Sequence, residues 1–194
     1  MSQVKNPLAA RHGLFDTHRL RNVALTTLFA IVSLIPNGAF SGSASARNNV
    51  EPYRLPVERQ WLTRKTIMRP HHDHPAWDFN IPVGTKAFSV QAGKVVAVLQ
   101  GGSCGTGIVI DGYDDFRYTY CHGSRALVRG GQRLHSSDPV MRTGNSGSSG
   151  TPHLHLEIET TPQLRLKCPQ PLLLSWWRGK QMSPKRAPFS GCTN

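Results

Sequence analysis

The chain is poor in acid: 11 Asp and Glu stand against 23 Lys and Arg, a formal net charge of +12 over 194 residues. Such an excess draws a protein to polyanions, but charge alone does not choose among anionic polymers, lipid and nucleic acid. Aromatic residues are also few, at 8%, and scattered. A basic surface interleaved with stacking aromatics is therefore missing, and no specific nucleic-acid partner is expected. No H-E-x-x-H occurs, which excludes a helix-borne zinc peptidase site. No C-x-x-C occurs, which argues against a four-cysteine zinc site. The apolar run Val23 to Pro36 holds 14 residues, short of the roughly 20 that a spanning helix needs. Sustained helical periodicity is nearly absent, so the regular structure should be β.

Among what is present, the 38% hydrophobic content is that of one soluble domain with appendages. Residues 1–46 join a basic stretch (Lys5, Arg11, Arg19, Arg21), the apolar run and an A-x-A ending at Ala44 and Ala46. This pattern reads as a secretory signal cleaved after Ala46, with membrane anchoring through residues 23–36 as the alternative. Export to the periplasm or beyond the cell is the expectation. Cleavage would remove four Lys/Arg and one Asp, leaving a net charge of +9. The four cysteines all follow this segment, and in an oxidising compartment an even set reads as a disulfide framework. Of three pairings, Cys104 with Cys121 and Cys168 with Cys192 are favoured, each being nearest in sequence. Loops of these sizes are each worth roughly 3 kcal/mol in the chain-entropy model.

Residues 47–69 are polar and proline-punctuated and read as a linker or lead-in. From residue 70 to 160 the signals are those of strands. Gly93 opens the run Lys94 to Leu99, and Gly107 to Asp111 and Phe116 to Cys121 flank the turn Gly112-Tyr113-Asp114-Asp115. In Leu154 to Ile158, leucine and isoleucine alternate with His153, His155, Glu157 and Glu159. The Gly/Ser stretch Gly144 to Pro152 runs straight into that strand and reads as a loop flanking a site rather than a linker. Residues 161–194 form a disulfide-linked extension whose Trp176 and Trp177 should pack against the sheet.

His153-Leu154-His155 is the strongest local signal. Residues i and i+2 of a strand share a face about 6.5–7 Å apart, so two imidazoles are presented together. By itself H-x-H is weak. Here His71, His72 and His74 precede Asp78, which leads into Phe79 to Thr85, a strand and tight turn, and His122 ends the strand Arg117 to Cys121.

The order histidine, Asp78, Pro82-Val83-Gly84-Thr85, Tyr120-Cys121-His122, then Ser149-Gly150-Thr151-Pro152-His153-Leu154-His155-Leu156-Glu157 resembles peptidase family M23, the lysostaphin/LytM type. The likeness covers about residues 70–160. It implies an all-β fold, a small antiparallel sheet or sandwich with an open groove, similar to a duplicated hybrid motif. It further implies one zinc ion per chain, held by a histidine before Asp78, by Asp78 and by His155, with His122 and His153 as unliganded catalytic histidines. The usual spacing of four would select His74. The stretch His71 to Asp78 looks instead like a subgroup with Tyr at position 74, which makes His72 the preferred ligand, His74 the alternative and His71 the last choice. The implied function is cleavage of peptide cross-links or stem peptides in bacterial peptidoglycan by an exported monomer. A wall-binding activator that has lost its chemistry is the rival, though such proteins typically lose ligands and every expected position is filled here. A cupin-like barrel also uses H-x-H but needs a glutamate further on than Glu157.

Overall fold

The computed structural model describes residues 49–69 and 71–192. The expected export signal and the alternative anchor lie outside these residues. No helix among the described residues is long and apolar enough to cross a membrane.

Nine strands form one antiparallel sheet among the described residues. They are β1 (Trp77–Asn80), β2 (Lys86–Phe88), β3 (Gly93–Leu99), β4 (Thr106–Gly112), β5 (Phe116–Ala126), β6 (Arg133–Leu134), β7 (Pro139–Thr143), β8 (His153–Thr160) and β9 (Leu166–Lys167). Along the main path the order is β1-β8-β5-β4-β3-β6, while β7 pairs with β5 and β2, and β9 with β8. The alternation of β8 becomes two faces: Leu154, Leu156 and Ile158 are fully buried with Tyr118, Tyr120, Ile108 and Ile110. Its opposite face carries His153, His155 and Glu157 into a groove. The β4–β5 hairpin turns through Tyr113 to Asp115, with Asp115 in the left-handed region that Asp tolerates (φ 69).

Both expected disulfides are present, Cys104–Cys121 and Cys168–Cys192. Two features depart from the sequence reading. Residues 49–69, read as a linker, instead place Tyr53, Val57, Leu62 and Ile67 in the core. Tyr53 and Val57 hang on irregular chain and Leu62 and Ile67 on single helical turns, so together they show no period, and Tyr53 stacks on Trp176 at 5.2 Å. Its hydroxyl, with that of Tyr118, donates to Asp114 (3.1 and 2.7 Å). Burial pushes the Asp114 pKa up. The extension also contains an unanticipated helix. A four-residue helix α1 (Arg64–Ile67) lies near α2 (Pro169–Trp177), which starts with Pro at N1 and buries Leu172, Leu173 and Trp176. The side chain of Gln170, fully buried, donates to the carbonyls of Arg69 (3.2 Å) and Ala76 (2.7 Å). It thereby ties down both ends of the histidine-bearing segment.

Candidate metal centre and its flanking histidines

Register brings the first functional groups together. Asp78 of β1 stands opposite His155 of β8, and His155 stands opposite Cys121 of β5. Cross-strand partners hold their Cβ atoms about 4.5–5.5 Å apart, within reach of one cation. His155 Nδ1 donates to Asp78 Oδ1 at 2.8 Å, and on the other side of Asp78 the Nε2 of His71 lies 3.4 Å from Oδ2. Donor atoms of His71, Asp78 and His155 all fall within 4.8 Å of one another.

The geometry therefore differs from the expected first ligand. His71, the last choice on sequence, turns inward with a side chain only 6% exposed, whereas that of His72 is 80% exposed, lies 3.6 Å from Asp73 and stacks on the outer side of the His71 ring at 4.5 Å. The alternative, His74, faces Glu157 at 3.0 Å. Residues 71–75 are not a strand, so neighbouring side chains carry no fixed alternation. Gln170 anchors the backbone on either side of this segment, at Arg69 and Ala76.

Two imidazoles and one carboxylate form the donor set of a catalytic zinc site, which keeps a position open. The residues fit such an ion on electrostatic grounds as well. Burial opposes a charge on His155, but its hydrogen bonds to Asp78 and Glu157 outweigh it and lift the pKa to about 9. Asp78 is also penalised by burial, yet His155 and then His71 hold its carboxyl below the usual range. Positive charge is thus favoured beside the two carboxylates, while burial lowers the pKa of His71 and favours the neutral ring that a metal ligand needs. His71 Nδ1 is buried without an in-line hydrogen bond, although Asp73 Oδ1 lies 2.8 Å away.

The second pair of histidines borders the same groove, of about 520 Å³. His122 does not end its strand, which runs on to Ala126. Regular alternation after Tyr118 and Tyr120 would have turned His122 into the core. A bulge prevents this: Tyr120 pairs with Ile108 and Gly123 with Thr106, so Cys121 and His122 share the single opposing residue Gly107. His122 takes φ 65, and its N–H donates to the Cys104 carbonyl at 2.8 Å. Its ring then lies 4.5 Å from that of His153 and 5.8 Å from that of His155.

The Gly/Ser loop orients both rings. His122 Nδ1 lies 2.8 Å from the Ser146 carbonyl, and His153 Nδ1 lies 2.7 Å from the Thr151 carbonyl. A carbonyl only accepts, so each Nδ1 carries the proton and each Nε2 keeps its lone pair. Burial lowers the pKa of His122, which favours the neutral ring. Gly147 makes the loop's close approach possible: it has φ 73, and a Cβ there would collide with the Ser103 carbonyl and the Gly105 amide.

Residues 72–165 match the model of peptidase family M23. The peptidoglycan DD-endopeptidases ShyB and ShyA of Vibrio cholerae are 27% and 29% identical over 114 residues, 54% of this chain. The aligned region is 27% and 26% of those proteins, so the chain spans about a quarter of the length of these relatives. The catalytic domain of lysostaphin from Staphylococcus simulans is 23% identical with a TM-score of 0.49, covering 66% of this chain and 92% of that one. A zinc-containing peptidase from Vibrio cholerae is 25% identical with a TM-score of 0.49, covering 56% and 36%.

Proposed function

Residues 72–165 belong to peptidase family M23, and from that premise we propose that the protein is a zinc-dependent endopeptidase acting on peptide cross-links or stem peptides of bacterial peptidoglycan. The observation that carries this reading is the convergence of His71, Asp78 and His155 with His122 and His153 in one groove. His71, Asp78 and His155 would hold the ion. When bound, zinc supplies Lewis acidity, the chemistry that makes water nucleophilic near neutral pH and polarises a carbonyl.

The remaining work falls to the flanking rings. With Nδ1–H fixed on backbone carbonyls, Nε2 of His122 or His153 accepts the proton of the attacking water. The protonated ring then donates to the tetrahedral oxyanion or returns the proton to the leaving amine. His153 Nε2, 3.6 Å from Asp78 Oδ1, borders the ligand set directly. His122 stands further off, beside His153.

Export is part of the proposal. Two disulfides suit an oxidising compartment, and the two relatives of Vibrio cholerae are peptidoglycan endopeptidases by name. The positive charge favours retention on anionic wall polymers. Purified sacculi of several chemotypes, incubated with the protein and analysed by mass spectrometry, provide the test. Peptide fragments should appear, disappear with a chelator and return with zinc. Intact sacculi of every chemotype in the presence of zinc-loaded protein would refute the proposed substrate.

A further inference from the structure

The proposed ion site uses one nitrogen of His155 and leaves the other to be explained. Nδ1 faces Asp78, while Nε2 lies 3.0 Å from Glu157 Oε1. An imidazole that binds a cation through Nδ1 keeps its proton on Nε2, and that N–H must then donate. The same oxygen, Glu157 Oε1, also lies 3.0 Å from His74 Nε2. On its far side His74 places Nδ1 2.7 Å from Asp73 Oδ1, the oxygen that stands 2.8 Å from His71 Nδ1. An outer arc of Asp73, His74 and Glu157 thus runs from one imidazole ligand to the other.

His74, His155 and Glu157 also have the composition of a metal site. A second ion there would have to take the Nε2 proton of His155 while Nδ1 is already committed, leaving a bridging imidazolate. Glu157 half-buried between two N–H donors needs no such species, since both lone-pair directions of Oε1 are engaged.

We propose that Glu157, clamped by His74, is the positioning residue of the metal site: it accepts the Nε2–H of His155 and so fixes the tautomer and ring orientation that present Nδ1 to the ion. His74 belongs to this outer arc and is not a ligand. This rests on the reading that zinc sits at His71, Asp78 and His155.

Zinc affinity, measured with the metal alone by competition against a chromophoric chelator, tests the proposal on wild type, Glu157→Ala, Glu157→Gln, His74→Ala and the double alanine variant. Glu157→Ala should weaken zinc binding about 10- to 100-fold, the usual effect of removing such a partner. Glu157→Gln should recover most of that loss, because its amide oxygen still accepts; a merely structural role predicts no such rescue. His74→Ala should weaken binding by less than Glu157→Ala and add nothing in its absence. Wild-type affinity in Glu157→Ala, additive losses in the double variant, or two ions per wild-type chain would overturn the proposal alone. So would complete loss of zinc in His74→Ala, which would make His74 a ligand. A wild-type chain that binds no zinc would overturn the ion site itself, and this inference with it.

Discussion

Replacing Cys104 and Cys121 together by serine separates what the disulfide does for the fold from what it does for the site. The bridge closes a loop with a sequence separation of 17, for which the chain-entropy relation gives about 3 kcal/mol at 25 °C. At roughly 2–4 °C per kcal/mol for a domain of this size, the melting temperature should fall by about 6–12 °C. The local effect has a different origin. Cys121 precedes His122, whose N–H donates to the Cys104 carbonyl across the bulge and whose φ is 65. Holding a non-glycine residue there costs of order 1–3 kcal/mol, which the bridge helps the surrounding contacts to offset. Without it, turnover at 25 °C should drop about tenfold or more if 1.4 kcal/mol of that restraint is lost, while zinc content stays at one per chain. Calorimetry, metal analysis and sacculus digestion on the same preparations measure the three quantities. An unchanged melting temperature would refute the stability argument. A lowered melting temperature with full turnover would show that the bulge holds His122 without help from the bridge.

Three further perturbations address the two proposed catalytic rings and their loop. His122→Ala and His153→Ala should each retain zinc and lose turnover about 100-fold or more; full activity in either variant removes that ring from the mechanism. Because His122 must be neutral to accept a proton and burial lowers its pKa from 6.5, the acid limb of kcat/KM should lie below pH 6.5. If His122 is the base, activity falls only as pH drops through that lowered value, and a limb above pH 7 in the rate profile would contradict the assignment. Gly147→Ala, forced into φ 73 against the Ser103 carbonyl, should destabilise the protein by about 1–3 kcal/mol and reduce turnover with zinc retained. A silent substitution by both thermal melt and digestion assay would remove the loop from the account.

Some of this was legible before any coordinates, and the reason is physical. Strand β8 is half-buried, so its two-residue period separates Leu154, Leu156 and Ile158 from His153 and His155 in plain sequence. The Gly112 to Asp115 turn marks its hairpin by composition. The pairing of cysteines nearest in sequence matches the bridges because each closes a short loop beside adjacent elements. Positions without a period were harder. Residues 71–75 are irregular, so no period tells His71 from His72, and the backbone on either side of them is held by Gln170, about 100 residues away in a helix too short to announce itself. Tyr53 and Val57 are core residues on irregular chain, and no local rule separates them from a linker. His122 reaches the groove through a bulge created by pairing with β4, a non-local event. The partnership of His74 with Glu157 joins residues 83 apart, and its visible signal was the placement of Glu157 on the histidine face of β8.

The first ligand is where sequence spacing and geometry differ, and zinc content decides it. Wild type, His71→Ala and His72→Ala, purified alike and measured by metal analysis beside sacculus digestion, should give one zinc and full turnover for wild type. His71→Ala should lose both. His72→Ala, at a side chain 80% exposed, should keep both; loss of zinc from His72→Ala with retention in His71→Ala would contradict the site described.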